Sequence, residues 1–213
     1  MRSAMQFVIA TAFIALLPPA VAAETRDSAA CRIGQIDRVY SDVKIVRDGT
    51  TLVPVAGEGF CARDRFLTGK RGIAALKFRD GTEVTVGKDS EFVIERWKER
   101  RLFANEAAFT LVKGAFRALT GAISERRHRF EVRTQVATIG VRGTEFWGGM
   151  NITPDALDVI MLSGKGVYIE NEAGRVELTR PGEGTTVQAG KTPDAAKVWG
   201  EAKVQKAVAT ITP

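Results

Sequence analysis

The chain has a single histidine, His128, and only two cysteines, Cys31 and Cys61, among its 213 residues. That scarcity removes whole classes of chemistry. In "ERRHRF" the imidazole has arginines on both sides, which disfavour its charged form, and no candidate nucleophile lies nearby. It reads as solvated surface. A zinc site would need mainly carboxylate ligands, which suit that ion poorly. Neither the H-E-x-x-H pair nor the D-x-[DN]-x-[DN]-G calcium loop occurs. "LSGKGVYIE" lacks the glycine spacing and the Ser/Thr of a phosphate loop, "PGEGTTV" is no dinucleotide fingerprint, and no serine sits in G-x-S-x-G. The expectation is a protein with no catalytic residue, no metal and no cofactor.

Long apolar runs are missing too, except at the start. "MRSAMQFVIATAFIALLPPAVAAET" has Arg2 in its lead, an apolar core from Phe7 to Leu17, a break at Pro18 and Pro19, and small residues after it. This is the layout of a secretory signal peptide over residues 1–23, with cleavage after Ala22 or Ala23. Its core is shorter than the ~20 residues that a membrane-spanning helix needs. A periplasmic or secreted location follows. With 45% hydrophobic and 26% charged residues, the remainder is an ordinary globular chain of one-domain size. The net charge of +6 favours anionic partners. For an exported chain those are envelope proteins or anionic cell-wall and outer-membrane groups, not nucleic acid. In that setting Cys31 and Cys61 read as a disulfide, worth on the order of 3–4 kcal/mol on chain-entropy arguments. The alternative is a pair of separate buried thiols.

The dominant hydrophobic period is two. "AALKFRD", "TEVTVG", "HRFEVRT", "ALDVIML" and "GVYIE" alternate apolar with polar residues, as half-buried strands do. Asp48-Gly49 and Asp80-Gly81 separate such runs, and Asp-Gly is a strong short-turn signal. Glu172, Ala173 and Gly174 play the same part later. The pattern predicts an all-β fold: a β-solenoid-like or sandwich-like stack of short strands and hairpins, with an open barrel also compatible. "ERWKERRLFANEAAF" (95–109) loses the alternation and reads as a long loop, a frayed hairpin or a short helix. After the β domain (24–190) comes a helical tail (191–213). Thr192 can cap it, Pro193 fits its first turn, and Trp199 lies on its apolar stripe.

Two groups of residues remain as candidate sites. Arg96, Lys98, Arg100 and Arg101 form one basic cluster, and Arg126, Arg127 and Arg129 form another. Glu95, Glu99, Glu106 and Glu125 are interspersed, so a salt-bridged face competes with an anionic-partner contact. The second group is "TIGVRGTEFWGG" (138–149), where opposite charges interrupt a strand. Gly143 can supply a corner, Arg142 can donate to several carbonyls there with Glu145 balancing its charge, and Phe146 can enter the core. A structural bracket is favoured over a binding site.

The order of these features is similar to that of the FecR domain family. "ARDRFLTGKRGIAALKFRDGTEVTVGKDSEFVI", "LVKGAFRALTG", "FEVRTQVATIGVRGTEFWGG" and "RPGEGTTV" carry the resemblance, and Arg142-Gly143-Thr144-Glu145-Phe146 is its most specific piece. It implies a β-rich periplasmic domain that signals by protein contact without catalysis. The chain departs from the family's regulators by lacking a helical anti-sigma segment and a secretin-like module. It also has Arg63 where a glycine usually precedes the aspartate of "R-D-R-F-L-T".

Overall fold

A computed structural model describes residues 32–98, 106–121, 129–141 and 143–213. Cys31, Arg100, Arg101, Arg126, Arg127, His128 and Arg142, like the expected signal peptide, lie outside the described residues. Two nine-stranded sheets, here called front and back, face each other, and the chain winds between them. It begins in the front sheet with β1 (Arg32–Tyr40), crosses to the back for β2 (Val43–Arg47) and β3 (Thr50–Leu52), and returns for β4 (Gly59–Cys61). β5 (Arg65–Thr68) is in the back sheet, β6 (Ile73–Phe78) and β7 (Glu83–Val86) in the front, β8 (Glu91–Lys98) and β9 (Glu106–Lys113) in the back. β10 (Ala115–Leu119) is in the front, followed by β11 (Arg129–Arg133) and β12 (Thr138–Val141) in the back. β13 (Thr144–Gly149) and β14 (Ala156–Gly164) are in the front, and β15 (Val167–Asn171) and β16 (Gly174–Leu178) in the back. β17 (Glu183–Gln188) and β18 (Lys197–Val198) complete the front sheet before the helix α1 (Glu201–Ile211).

Spatial order follows chain order in both sheets, apart from β4 lying outside β1 and β3 outside β2 at the first edge. The fold is therefore a sandwich built as a solenoid builds itself, one or two strands at a time, and it is not a closed barrel. Neighbouring strands pair antiparallel except β9 with β11, which run parallel. The expected alternation puts Val84, Val86, Phe130 and Val132 inside. Aromatic rings join the sheets: Phe78 stacks on Trp97 at 4.2 Å, and Phe130 meets Phe146 edge-on at 6.2 Å. Such pairs add about 0.5–1.5 kcal/mol each beyond the area they bury.

Two expectations change on inspection and one is narrowed. Residues 91–98 and 106–113 pair antiparallel, which favours the hairpin among the loop, frayed hairpin and short helix expected over 95–109. β14, expected half-buried, is buried on both faces from Ala156 to Met161, because α1 covers its outer side. The helix starts at Glu201, with Gly200 at the N-cap position where Thr192 was expected. Backbone bonds explain the late start: Asp194 N–H donates to Thr186 O at 3.0 Å and Trp199 N–H to Gly182 O at 3.0 Å. Pairing along β17 outweighs the local helix signals of Thr192 and Pro193.

The two Asp-Gly turns differ in mechanism. Asp48 and Gly49 both have positive φ (48° and 81°), as a two-residue hairpin turn of matching twist requires. At Asp80-Gly81 only the glycine is left-handed (φ 85°). There the Asp80 carboxylate accepts from Thr82 N at 2.9 Å and Thr82 Oγ1 at 2.8 Å.

The departure at Arg63 also has a backbone meaning. Arg63 has φ 72°, in the left-handed region where a Cβ is penalised and glycine is not. Arg63→Gly is expected to raise the unfolding free energy by about 0.5–1 kcal/mol in urea titrations, the relief exceeding glycine's added chain entropy.

Candidate functional site

Of the bracket expected at 142–146 the described residues are Gly143 to Phe146, Arg142 lying outside them. The chain passes from β12 in the back sheet to β13 in the front through Gly143, whose φ is 57°. Thr144, buried at that corner, holds it. Its Oγ1 accepts from Gly166 N at 3.0 Å and Lys165 N at 3.3 Å and donates to Gly166 O at 3.0 Å. Its own N–H donates to Thr120 Oγ1 at 2.9 Å. Gly164 allows the approach, since a Cβ there would lie 2.6 Å from Thr144 Cα. One step along the stack Thr82 repeats the device, its Oγ1 accepting from Gly121 N at 3.0 Å. Buried threonines thus tie together the ends of β7, β10, β13 and β14, which are neighbours in the front sheet. Sequence reading included Thr144 in the motif but gave bonding roles only to the charged members of "RGTE". The recurrence of Gly-Thr in "RDGTE" and "VRGTE" is the signal that could have pointed to the threonine.

Glu145 was expected to balance Arg142. Arg142 lies outside the described residues, and among those described Glu145 pairs with Arg117 of β10, whose Nε donates to Glu145 Oε1 at 2.8 Å. A neighbouring strand supplies this residue, so sequence spacing could not point to it. Phe146 is fully buried, as expected. Gly140, in the threonine-rich run before the corner, is a landing place for the Tyr168 ring, which a Cβ at 140 would strike. Arg175 lies over the other face of that ring at 4.2 Å. Burial is the main cause that raises the Tyr168 pKa above the usual phenol value.

The described basic residues do not form a bare cationic patch. Lys98, Glu106 and Arg129 fall in one row across β8, β9 and β11. Arg96 pairs with Glu106 at 2.6 Å, and Arg129 with Glu131 at 3.4 Å. This part of the back sheet is a charge-balanced, solvated face. Of the two cysteines, Cys61 is buried at the end of β4.

Near Cys61 lies a buried ion pair. Asp64 is fully buried and accepts from Arg47 Nε at 2.7 Å, Arg47 Nη2 at 2.6 Å and Cys61 N at 2.8 Å. Its hydrogen bond is the main cause that raises the Arg47 pKa. The pair fastens β2 to the chain between β4 and β5.

The outer face of the front sheet carries the concavity best suited to contact. α1 covers part of this face. It packs over Ala115, Trp147 and Ile160 with Trp199 and Ala207. Lys203 Nζ reaches the buried Asp158 at 2.6 Å, and Trp147 Nε1 donates to Thr210 Oγ1 at 3.0 Å. Beside the helix's last turn lies a groove of about 350 Å³. One cross-strand row, Arg38, Ala75, Thr85 and Arg117, runs through it. Small side chains make its floor. Tyr40 lines it from β1, and Val208 and Ile211 line it from the helix. Among the described residues Arg38 has the adjacent Asp37 at 3.1 Å as its carboxylate partner, and that bond, with Tyr40 beside it, raises its pKa further. Arg117 is held by Glu145, so the segment that follows the Gly143 corner positions a residue of the groove. Among the described residues no cluster of potential metal ligands occurs, and no helix is long and apolar enough to cross a membrane.

Residues 64–165 match the sequence model of the family described as FecR protein. The match begins at the buried Asp64 and ends at Lys165, whose N–H is tied to Thr144. Two crystal structures of a protein from Parabacteroides distasonis ATCC 8503, described as a candidate anti-sigma factor, share the architecture at TM-score 0.53 and 16% identity. The likeness covers 66% of this chain and 62% of theirs, so this chain spans less than two thirds of their length. At that identity it shows the fold alone. A search of curated proteins found no match.

Proposed function

We propose that this chain, which carries a FecR-family segment over residues 64–165, is an exported, non-catalytic binding module that senses or relays an envelope condition through protein contact. The observation that carries this reading is the groove on the front sheet. It joins a floor of Ala75 and Thr85 to two arginines, one of them held by Glu145. Such a surface suits a partner segment presenting an apolar side chain beside a carboxylate, since each guanidinium has five donors and neither uses all of them internally. The hydroxyl of Thr144 and the carboxylate of Glu145 are engaged in holding the corner, which supports a structural role for the motif itself. A periplasmic or secreted location and a Cys31–Cys61 disulfide belong to the same reading.

A second reading is a structural envelope protein that keeps the fold without signalling. The charge-balanced rows of the back sheet favour it, because a face whose arginines are already paired makes little demand on a partner. Photo-crosslinking in intact cells separates the two. A photoreactive residue at position 75 is expected to give one discrete protein adduct that weakens as salt rises. The same residue at Lys44, exposed on β2, is expected to give none. Equal labelling at both positions would favour the structural role.

A further inference from the structure

The front sheet carries a second cleft, of about 290 Å³, near its first edge and apart from the groove. Arg32, Lys77 and Arg79 line it, together with Gln35. Its geometry follows from the strand register. Lys77 and Arg79 stand two residues apart, so both project from the same face at the end of β6. Gln35 is directly opposite Lys77, and Arg79 N–H donates to Ile33 O at 3.1 Å, which brings the start of β1 alongside. β1 has a bulge between Arg32 and Gly34, and a bulge re-aims the side chain beside it. Gly59 gives the Arg32 side chain room to lie across β4, since a Cβ there would strike it.

The charges in this cleft are not matched. Lys77 has Glu83 at 3.9 Å, a long and exposed pair. Among the described residues neither Arg32 nor Arg79 has a carboxylate within ion-pair distance. Elsewhere in the described chain arginines commonly find one, as Arg47, Arg65, Arg96, Arg117 and Arg180 do. Three cations facing one shared carboxylate leave two positive charges uncompensated. A phosphomonoester carries nearly two negative charges at neutral pH, and guanidinium forks fit phosphate oxygens in bidentate fashion. A single carboxylate would balance only half the excess. The volume accommodates one such group and its first attached atoms.

We infer that the Arg32–Lys77–Arg79 cleft binds a phosphomonoester dianion, either as a soluble ester or as the headgroup of an anionic lipid. The two sources share the recognised chemistry and are separated by the test.

The probes are glycerol 3-phosphate, followed by calorimetry, and vesicles with and without phosphatidic acid, followed by sedimentation. The expected result is saturable binding of the soluble ester, stronger at pH 7.5 than at pH 5, because the second phosphate ionisation lies near pH 6. Arg32→Gln/Arg79→Gln is expected to weaken it by at least about tenfold, the range for lost charge-assisted bonds. Lys44→Gln leaves it unchanged. Sedimentation with phosphatidic-acid vesicles that glycerol 3-phosphate reverses assigns the headgroup as ligand. Binding of the ester without vesicle association assigns a soluble one. The inference is overturned by absence of binding to either probe, by binding that survives the double substitution, or by vesicle association that the ester cannot displace.

Discussion

Arg47→Ala is expected to lower the unfolding free energy by about 3–5 kcal/mol, the cost of leaving a buried charge without its partner. Asp64 is fully buried, and Arg47 supplies two of its hydrogen bonds, at 2.7 and 2.6 Å. Removing the guanidinium leaves a carboxylate with Cys61 N as its remaining described donor. It would then have to take up a proton or open a path for water. The pair itself need not be strongly stabilising, because desolvation offsets much of its Coulomb gain. Arg47→Met combined with Asp64→Leu is therefore expected to recover most of what Arg47→Ala loses. Urea unfolding of the three variants tests this, and a loss under ~1 kcal/mol in Arg47→Ala would show that water already reaches the carboxylate.

Thr144→Val is expected to cost about 2–3 kcal/mol, with Thr144→Ser close to the parent. Valine preserves shape and branching but removes the oxygen that serves Lys165 N, Gly166 N and Gly166 O. An unsatisfied buried group costs more than a made hydrogen bond gains, so the hydroxyl and not the volume should decide. The same urea titration measures both. Equal stability of valine and parent would mean that the corner is held by Gly143 and Phe146 alone.

Both effects depend on contacts that span the stack, and that marks the boundary of what the sequence could tell. Alternation at Val84 and Val86 or at Phe130 and Val132 is a local property, and it identified strands and their inner faces. Asp48-Gly49 named its own turn. The partner of Glu145 could not be read, because it lies 28 residues away on a strand whose neighbour is set by the winding of the whole chain. The same holds for Arg47 and Asp64, 17 residues apart. Thr192 and Pro193 carried a real helix-start signal, which lost to pairing along β17 and to the burial of Trp199. The groove was illegible for a further reason: Ala75 and Thr85 are unremarkable in sequence, and only their alignment between Arg38 and Arg117 gives them meaning. The left-handed backbone at Arg63, with φ 72°, was not foreseen, although a position that glycine would suit is the kind of place where it occurs.

The account turns on the front-sheet groove being the face that meets a partner while the motif behind it holds the fold. Ala75→Arg tests this directly, since position 75 is half-exposed and a long cation there fills the floor without touching the core. The account predicts a melting temperature within about 2 °C of the parent, the shift expected from a surface change of under ~0.5 kcal/mol. It also predicts loss, from intact cells, of the adduct formed by a photoreactive residue placed at Val208 on the helix side of the groove. Retention of the partner by a stably folded Ala75→Arg protein would contradict it.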